Sequence, residues 1–217
     1  SKSFLSYKNL YYGVFLFAIG LVKKSFFADQ LFLMSQDGLL NPNNLNFISA
    51  WLYSFSFTFQ IYFDFSGYID MATGCALILN VKLPQNFNSP YKSKSIIDFW
   101  RRWHITLSNF ITNFLYFPII NKFKNPTLFK SLLVIIIVMT IAGIWHGPRW
   151  TYLIFGLIHG VAISINYLFR KTEIKLNKII SWVICFFTIN LSFVFFIPSD
   201  LSTSVTILEK MFFLNNS

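Results

Sequence analysis

The chain has 217 residues, of which 55% are apolar, 20% are aromatic and only 12% are charged. Soluble domains carry about 25% charged residues, so the composition excludes an ordinary soluble domain and predicts an all-α integral membrane protein. The net charge is +10, but the basic residues lie in short clusters at the edges of apolar runs, a pattern typical of membrane loops, and we expect a lipid bilayer and no nucleic acid as partner.

The first half of the chain contains apolar runs that are each closed by a charged residue. The runs are residues 9–22, 47–63 and 71–81. We expect the first run to form a short membrane span, or the tail of one, that ends at Lys23 and Lys24. The prolines, amides and lysines of residues 82–95 predict a loop.

Two carboxylates lie inside this apolar region, in the stretch "YFDFSGYIDMATG". Asp64 and Asp70 are expected to act as scaffold, in buried pairs with basic residues such as Arg101 or Arg102. The alternative is general acid or base catalysis.

Residues 95–117 predict one amphipathic helix at the membrane interface. Ser95 is a suitable N-cap, and Asp98 and Arg102 are four residues apart, so they can pair. His104 lies within the apolar stripe of that helix. It is either a core histidine satisfied by the backbone or a polar group directed into a reaction chamber.

Three uncharged runs in the second half approach the about 20 residues that a membrane helix needs. They are residues 131–148, 150–169 and 179–199. The basic segments before the first run and after the second predict a helical hairpin with both ends on the cytoplasmic side. Gly156 and Gly160 are four residues apart on the second helix and permit close helix packing. Cys75 and Cys185 are expected to be buried thiols.

The tip of this hairpin reads "GIWHGPRW". His146 occupies a helix end created by Gly147 and Pro148, with Trp145 as an apolar wall beside it. A neutral imidazole there can accept a proton from a hydroxyl and return it later. The alternative is an interfacial histidine without a catalytic role. His159, in "GLIHG", is expected to pack in the interior or to support the site.

Four stretches occur in an order that resembles a known family. They are "LVKKSFFADQL", "FQIYFDFSGYIDMATGCALILNVKLPQNFNSPY", "SIIDFWRRWHITLSNF" and "IAGIWHGPRWTYLIFGLIHG". Together they resemble the membrane-bound O-acyltransferase (MBOAT) family, in the branch of bacterial proteins that O-acetylate alginate or peptidoglycan. The resemblance covers roughly residues 16–170.

The resemblance implies a bundle of transmembrane and shorter tilted helices around a tunnel. It implies that His146, in "WHG", is catalytic, and that His104, after "FWRRW", is the second prominent histidine. An acyl group, expected to be acetyl, would pass from a cytoplasmic thioester donor toward hydroxyls of an extracytoplasmic polysaccharide. We expect acyl-CoA as this donor substrate, with no bound cofactor and no metal.

The expected roles follow from this chemistry. His146 would be the general base, and His104 or a backbone N–H near it would help to hold the oxyanion. Arg101 and Arg102 would meet the phosphates of acyl-CoA, although lipid headgroups would explain them equally well.

We expect residues 1–217 to form a single membrane domain, a piece of a longer chain in the inner (cytoplasmic) membrane, working with a periplasmic or extracellular transferase. The alternatives are D-alanyl transfer to teichoic acid, a transporter and a subunit that only scaffolds such a transferase.

Overall fold

The computed structural model describes residues 6–212, apart from the side chain of Asp37, and in this part of the chain the all-α prediction is confirmed. The chain divides into two compact units, the first ending at Asn86 and the second beginning at Phe87. The helices are α1 (Tyr7–Val22), α2 (Asp29–Leu40), α3 (Phe47–Ile78), α4 (Ile96–Trp100), α5 (Ile105–Phe110), α6 (Phe117–Ile120), α7 (Leu128–Trp145), α8 (Trp150–Phe169), α9 (Lys178–Phe193) and α10 (Leu201–Met211).

In the first unit, α1 and α2 form one continuous helix, because the π-helical segment Lys23–Ala28 joins them. The prediction that the helix ends at Lys23 and Lys24 is therefore wrong. The ammonium groups of both lysines form ion pairs with carboxylates of α3, so the two charges are compensated within a continuous helix.

The helix α3 is also continuous and includes two of the predicted runs. It begins with a capping box, in which the Ser49 N–H donates to the Asn46 side chain at 2.9 Å and the Asn46 N–H donates to the Ser49 hydroxyl at 2.8 Å. Asp64 and Asp70 lie inside this helix without interrupting it.

Facing glycines bring α1 and α3 into backbone contact. A Cβ on Gly67 would lie 2.8 Å from the carbonyl oxygen of Gly20, and Gly74 meets the Gly13 carbonyl in the same way. Pairs of small residues of this kind are typical of helices that associate in membranes.

In the second unit, α7 and α8 form the predicted hairpin, and residues 146–149 connect them. The predicted close approach is confirmed, since a Cβ on Gly160 would lie 2.7 Å from the Cα of Ile136. Within residues 6–212, three helical stretches are long and apolar enough to cross a membrane: Tyr7–Leu40, Leu128–Trp145 and Trp150–Phe169.

The third predicted run of the second half, residues 179–199, is wrong at its end. The helix α9 stops at Phe193, and a separate helix, α10, begins after Asp200. The Asp200 carboxylate caps α10 by accepting from the Thr203 N–H at 2.8 Å, which is a local reason for a new helix to begin there.

The loop predicted over residues 82–95 is confirmed, with one short 3-10 turn at Pro90–Lys92. Of the two thiols, Cys185 is buried as expected, but Cys75 lies on the exposed surface of α3.

Candidate active site

His146 caps the carboxyl end of α7, as the Gly147-Pro148 break predicts. The backbone N–H of His146 donates to the Gly143 carbonyl at 3.0 Å and closes the last turn of the helix. Gly147 then adopts a φ of +152°, a conformation that is strained for a residue with a Cβ. This turn ends the helix and leaves the imidazole of His146 exposed at the start of the connection to α8.

Aromatic rings surround the His146 side chain. Its ring centroid lies 5.2 Å from that of Trp145, as the sequence suggested, and 5.0 Å from that of Phe196. Tyr152 and Phe155 of α8 lie at 5.9 and 6.4 Å. The imidazole therefore lies between apolar walls but stays accessible from outside.

The helix predicted over residues 95–117 is broken, and this correction places His104 in a different setting. The helix α4 ends at Trp100, and α5 begins at Ile105. His104 is the residue just before α5 and adopts the left-handed conformation, with φ of 42° and ψ of 57°. It lies in a turn between two short helices, so the apolar stripe drawn along one helix does not exist.

A long-range hydrogen bond explains the break. The Asn88 N–H donates to the Arg102 carbonyl at 2.9 Å, which in a continuous helix would accept from the N–H four residues further on. The Arg102 side chain donates back to the Asn88 carbonyl at 3.4 Å. The loop before α4 therefore supplies the partner that ends the helix.

The start of the broken helix agrees with the prediction. The Ser95 hydroxyl accepts from the Asp98 N–H at 3.1 Å, and Arg102 pairs with Asp98 at 2.9 Å. Arg101 is exposed at the end of α4.

The two histidines that the sequence singled out come together. Burial lowers the pKa of His104, and a second, smaller lowering comes from the repulsion between its protonated ring and a protonated His146. Partial desolvation by the neighbouring aromatic rings also lowers the pKa of His146, although the residue stays accessible. Both imidazoles are therefore neutral at pH 7, and each can accept a proton at one nitrogen and donate at the other.

A chain of aromatic contacts links the turn of His104 to His146. Trp103, beside His104, lies 5.7 Å from Phe193, and Phe193 lies 5.9 Å from Phe155. Phe155 and Phe196 are 5.0 Å apart, and Phe196 contacts His146. Sequence reasoning missed Phe155, Phe193 and Phe196, because single phenylalanines in a chain with 28 of them carry no local signal.

His159 is fully buried in α8, and the prediction that it packs in the interior is confirmed. Its ring nitrogens contact Trp100 at 3.2 Å and Ser192 at 2.9 Å. Nothing in the local sequence indicated these partners.

The acids of α3 have other partners than those expected. Asp70 pairs with Lys23 at 2.6 Å and Asp64 with Lys24 at 2.6 Å, and each of these side chains is partly exposed. Each acid therefore has a basic partner, as expected, but the partner is a lysine of the same unit and the pair is only partly buried. The π-helical segment brings the two lysines alongside α3.

Comparison with known proteins agrees with the resemblance. The sequence model of the membrane-bound O-acyltransferase family matches residues 2–205. The chain is 45% identical to the peptidoglycan O-acetyltransferase of Helicobacter pylori over 99% of its own length and 41% of that protein. It is 36% identical to a probable alginate O-acetylase of Azotobacter vinelandii, over 90% of this chain and 39% of the relative.

A more distant relative is the teichoic acid D-alanyltransferase of Bacillus subtilis, which is 29% identical over 80% of this chain and 44% of that protein. The chain thus spans about two fifths of the length of the curated relatives it matches. Since the family model matches nearly the whole sequence, the chain belongs to the membrane-bound O-acyltransferase family.

Proposed function

We propose that the protein is a membrane O-acyltransferase of the bacterial inner membrane. It moves an acyl group, which we take to be acetyl, from a cytoplasmic thioester donor toward hydroxyls of an extracytoplasmic polysaccharide such as peptidoglycan or alginate. The observation that carries this proposal is that His146, exposed between aromatic rings at a helix end, lies close enough to His104, in the turn before α5, to affect its pKa.

In the proposed reaction, the neutral imidazole of His146 accepts the proton of the attacking hydroxyl. The hydroxyl oxygen forms a bond to the thioester carbonyl carbon, and the carbonyl oxygen becomes an oxyanion. When the tetrahedral intermediate collapses, the carbon–sulfur bond breaks and His146 returns the proton to the leaving thiolate. The products are an ester and a free thiol, and the base is restored.

The oxyanion needs a hydrogen-bond donor, and we propose His104 for this role. A neutral imidazole beside His146 can donate its ring N–H to the developing charge. The left-handed turn also leaves backbone N–H groups near His104 outside regular helix. Such a donor contributes about 3 kcal/mol of transition-state stabilisation in a water-excluded site.

The donor is proposed to be acyl-CoA, bound as substrate rather than as a resident cofactor. Arg101 is exposed at the end of α4, and Arg102 keeps its ion pair with Asp98. Arg101 is therefore the better candidate for a phosphate contact, and Arg102 serves mainly to hold the turn. An interaction of Arg101 with lipid headgroups would use the same chemistry.

The proposed acceptor of the acyl group, a polysaccharide such as peptidoglycan or alginate, is inferred from the functions that the names of the relatives state. The identity to a peptidoglycan O-acetyltransferase is 45%, compared with 29% to a teichoic acid D-alanyltransferase, which favours acetylation over D-alanylation. A periplasmic or extracellular transferase is the proposed partner that completes transfer to the polymer.

The test is a strain in which the complete protein carries His146→Ala. Acetate released by base from the purified cell-wall polymer should fall to the level of a deletion strain, with the variant still present in the membrane fraction. A Lys175→Gln strain, altered at an exposed loop residue, is the matched control and should keep its esters. Normal ester levels in the His146→Ala strain would exclude the proposed catalysis and leave the transporter or scaffold alternatives.

A further inference from the structure

The hydrogen bonds of His159 define one tautomer of its ring. The indole N–H of Trp100 donates to Nδ1 at 3.2 Å, and an indole nitrogen can only donate. Nδ1 is therefore an acceptor, and the proton of the neutral ring lies on Nε2. That N–H donates to the Ser192 hydroxyl oxygen at 2.9 Å, and Ser192 donates in turn to the Ile189 carbonyl at 2.7 Å. The chain of bonds ends on the backbone of α9.

Ring contacts prevent His159 from rotating out of this arrangement. Phe155 lies at 4.6 Å in an edge-on contact, Trp100 at 5.1 Å in another, and Phe99 stacks at 6.4 Å. The side chain has no exposed surface. His159 therefore joins three helices, α8, α4 and α9, at one point.

This point is linked to both candidate catalytic rings, through Trp100 to the turn of His104 and through Phe155 to His146. Trp100 is the last residue of α4, and His104 follows four residues later at the end of the turn. Phe155 contacts the His159 ring on one side and the His146 ring, at 6.4 Å, on the other. A displacement of His159 would therefore act first on Trp100 and the turn of His104, whereas His146 is also held by its own backbone bond to Gly143.

We propose that His159 is a positioning residue that, through Trp100 and Ser192, sets the end of α4 and so the left-handed turn that presents His104 to His146. The inference rests on the proposed function for its catalytic consequence only. Its structural consequence, the fixed position of His104, can be measured without any turnover.

The first experiment uses diethylpyrocarbonate, which modifies neutral accessible imidazoles, on the full-length protein in detergent micelles. In His159→Phe, which keeps an aromatic ring but removes both hydrogen bonds, the rate at His104 should rise about fivefold, because the turn loses its support. The rate at His146, which closes α7 through its own backbone bond, should change by less than about twofold. Equal increases at both residues, or no change at His104, would overturn the proposal.

The second experiment separates positioning from general stability by comparing His159→Phe with the double variant Trp100→Phe/His159→Phe. The single variant leaves the buried indole N–H without an acceptor, which lowers the thermal unfolding temperature. The double variant removes that orphaned donor, so its unfolding temperature should recover. The activity should not recover with it. For the release of thiol from acetyl-CoA, we expect the kcat of the double variant to stay about 10- to 100-fold below wild type, with KM nearly unchanged. Misplacement of a catalytic group by about 1 Å has an effect of this size.

His159→Gln provides the rescue, because its amide offers one acceptor and one donor at similar positions and should restore most of kcat. Recovery of kcat together with stability in the double variant would mean that His159 is merely structural. If wild-type protein releases no thiol from acetyl-CoA, the proposed function fails on its own. The rate of diethylpyrocarbonate labelling at His104 still tests whether His159 holds the turn in position, because it requires no turnover.

Discussion

His146 and His104 share an environment in which a neutral imidazole is favoured over a charged one. Burial lowers the pKa of each ring below 6.5, and the proximity of His146 lowers that of His104 further. The rings of Trp145 and Phe196 lie 5.2 and 5.0 Å from that of His146 and make its surroundings largely apolar. At the residue scale, the surroundings of the two rings therefore favour the neutral imidazole of His146, which is the form that the proposed general base requires.

This environment predicts the pH dependence of the proposed acyl transfer. A lowered pKa means that the ring gives up its proton at a lower pH than free imidazole, so the active neutral form persists down to a pH below about 6.5. We expect kcat/KM to stay level from about pH 8 downward and to fall only as the pH passes through that lowered pKa. The profile should be measured with stopped reactions in buffers of constant ionic strength. An acidic midpoint at or above about 6.5 would contradict the assignment of His146 as base.

At the element scale, two helix pairs depend on glycine contacts. The hairpin of α7 and α8 has no space for side chains where the helices cross, since a Cβ on Gly156 would lie 2.9 Å from the Cα of Thr140 and still closer to the Met139 carbonyl. The backbone of α7 cannot move aside as a flexible side chain would.

We therefore expect Gly156→Leu to force the hairpin apart. The cost is at least about 1–3 kcal/mol, the usual range for overpacking, and the thermal unfolding temperature in detergent should fall accordingly. Val161→Leu, on the exposed surface of the same helix, is the control and should unfold near the wild-type temperature. Equal unfolding temperatures for the two variants would show that the predicted contact is absent.

The ion pairs of the first unit join the π-helical segment to α3. Lys23 and Asp70 lie 2.6 Å apart, and about a quarter of each side chain is exposed. Removing one partner of a pair in such a position costs more than in a surface pair and less than in a fully buried one.

Charge reversal tests this scaffold role. Asp70→Lys places two ammonium groups together and should lower the free energy of unfolding by about 1–2 kcal/mol, between the values for exposed and buried pairs. Adding Lys23→Asp recreates the pair in reverse and should recover most of that loss. Unfolding should be followed in detergent by loss of helical circular dichroism. If the double variant shows only the sum of the two single effects, the pair does not hold the helices together.

At the scale of the whole molecule, the hairpin of α7 and α8 predicts on which side of the membrane His146 lies. The loops before α7 and after α8 lie at the same end of this hairpin, and both are basic, whereas His146 lies at the opposite end. The positive-inside rule predicts that the basic loops face the cytoplasm.

Cysteine labelling tests this orientation. In a chain with Cys75→Ala and Cys185→Ala, Arg149→Cys should react with a membrane-impermeant maleimide added to spheroplasts. Asn125→Cys and Glu173→Cys, which are exposed in the two basic loops, should react only after the membrane is permeabilised. Labelling of the loop positions in sealed spheroplasts would reverse the proposed topology.

Several features of the molecule could be predicted from local sequence. Composition established the helical membrane class, uncharged runs located α7 and α8, and the Gly147-Pro148 break located His146 at a helix end. Each of these depends on neighbouring residues, because hydropathy, helix capping and backbone conformation act over a few positions along the chain.

Other features depended on residues far apart in the sequence. Only the tertiary structure showed that Asn88 ends the helix before His104, that Lys23 and Asp70 pair across 47 residues, and that Phe196 packs on His146. A helical pattern continues through Arg102 in the sequence, and it is the hydrogen bond from a distant loop that breaks it. Local patterns therefore established what kind of protein this is and where one histidine lies. Long-range packing decided which side chains surround that histidine, because residues far away in the sequence reach it only when the chain has folded.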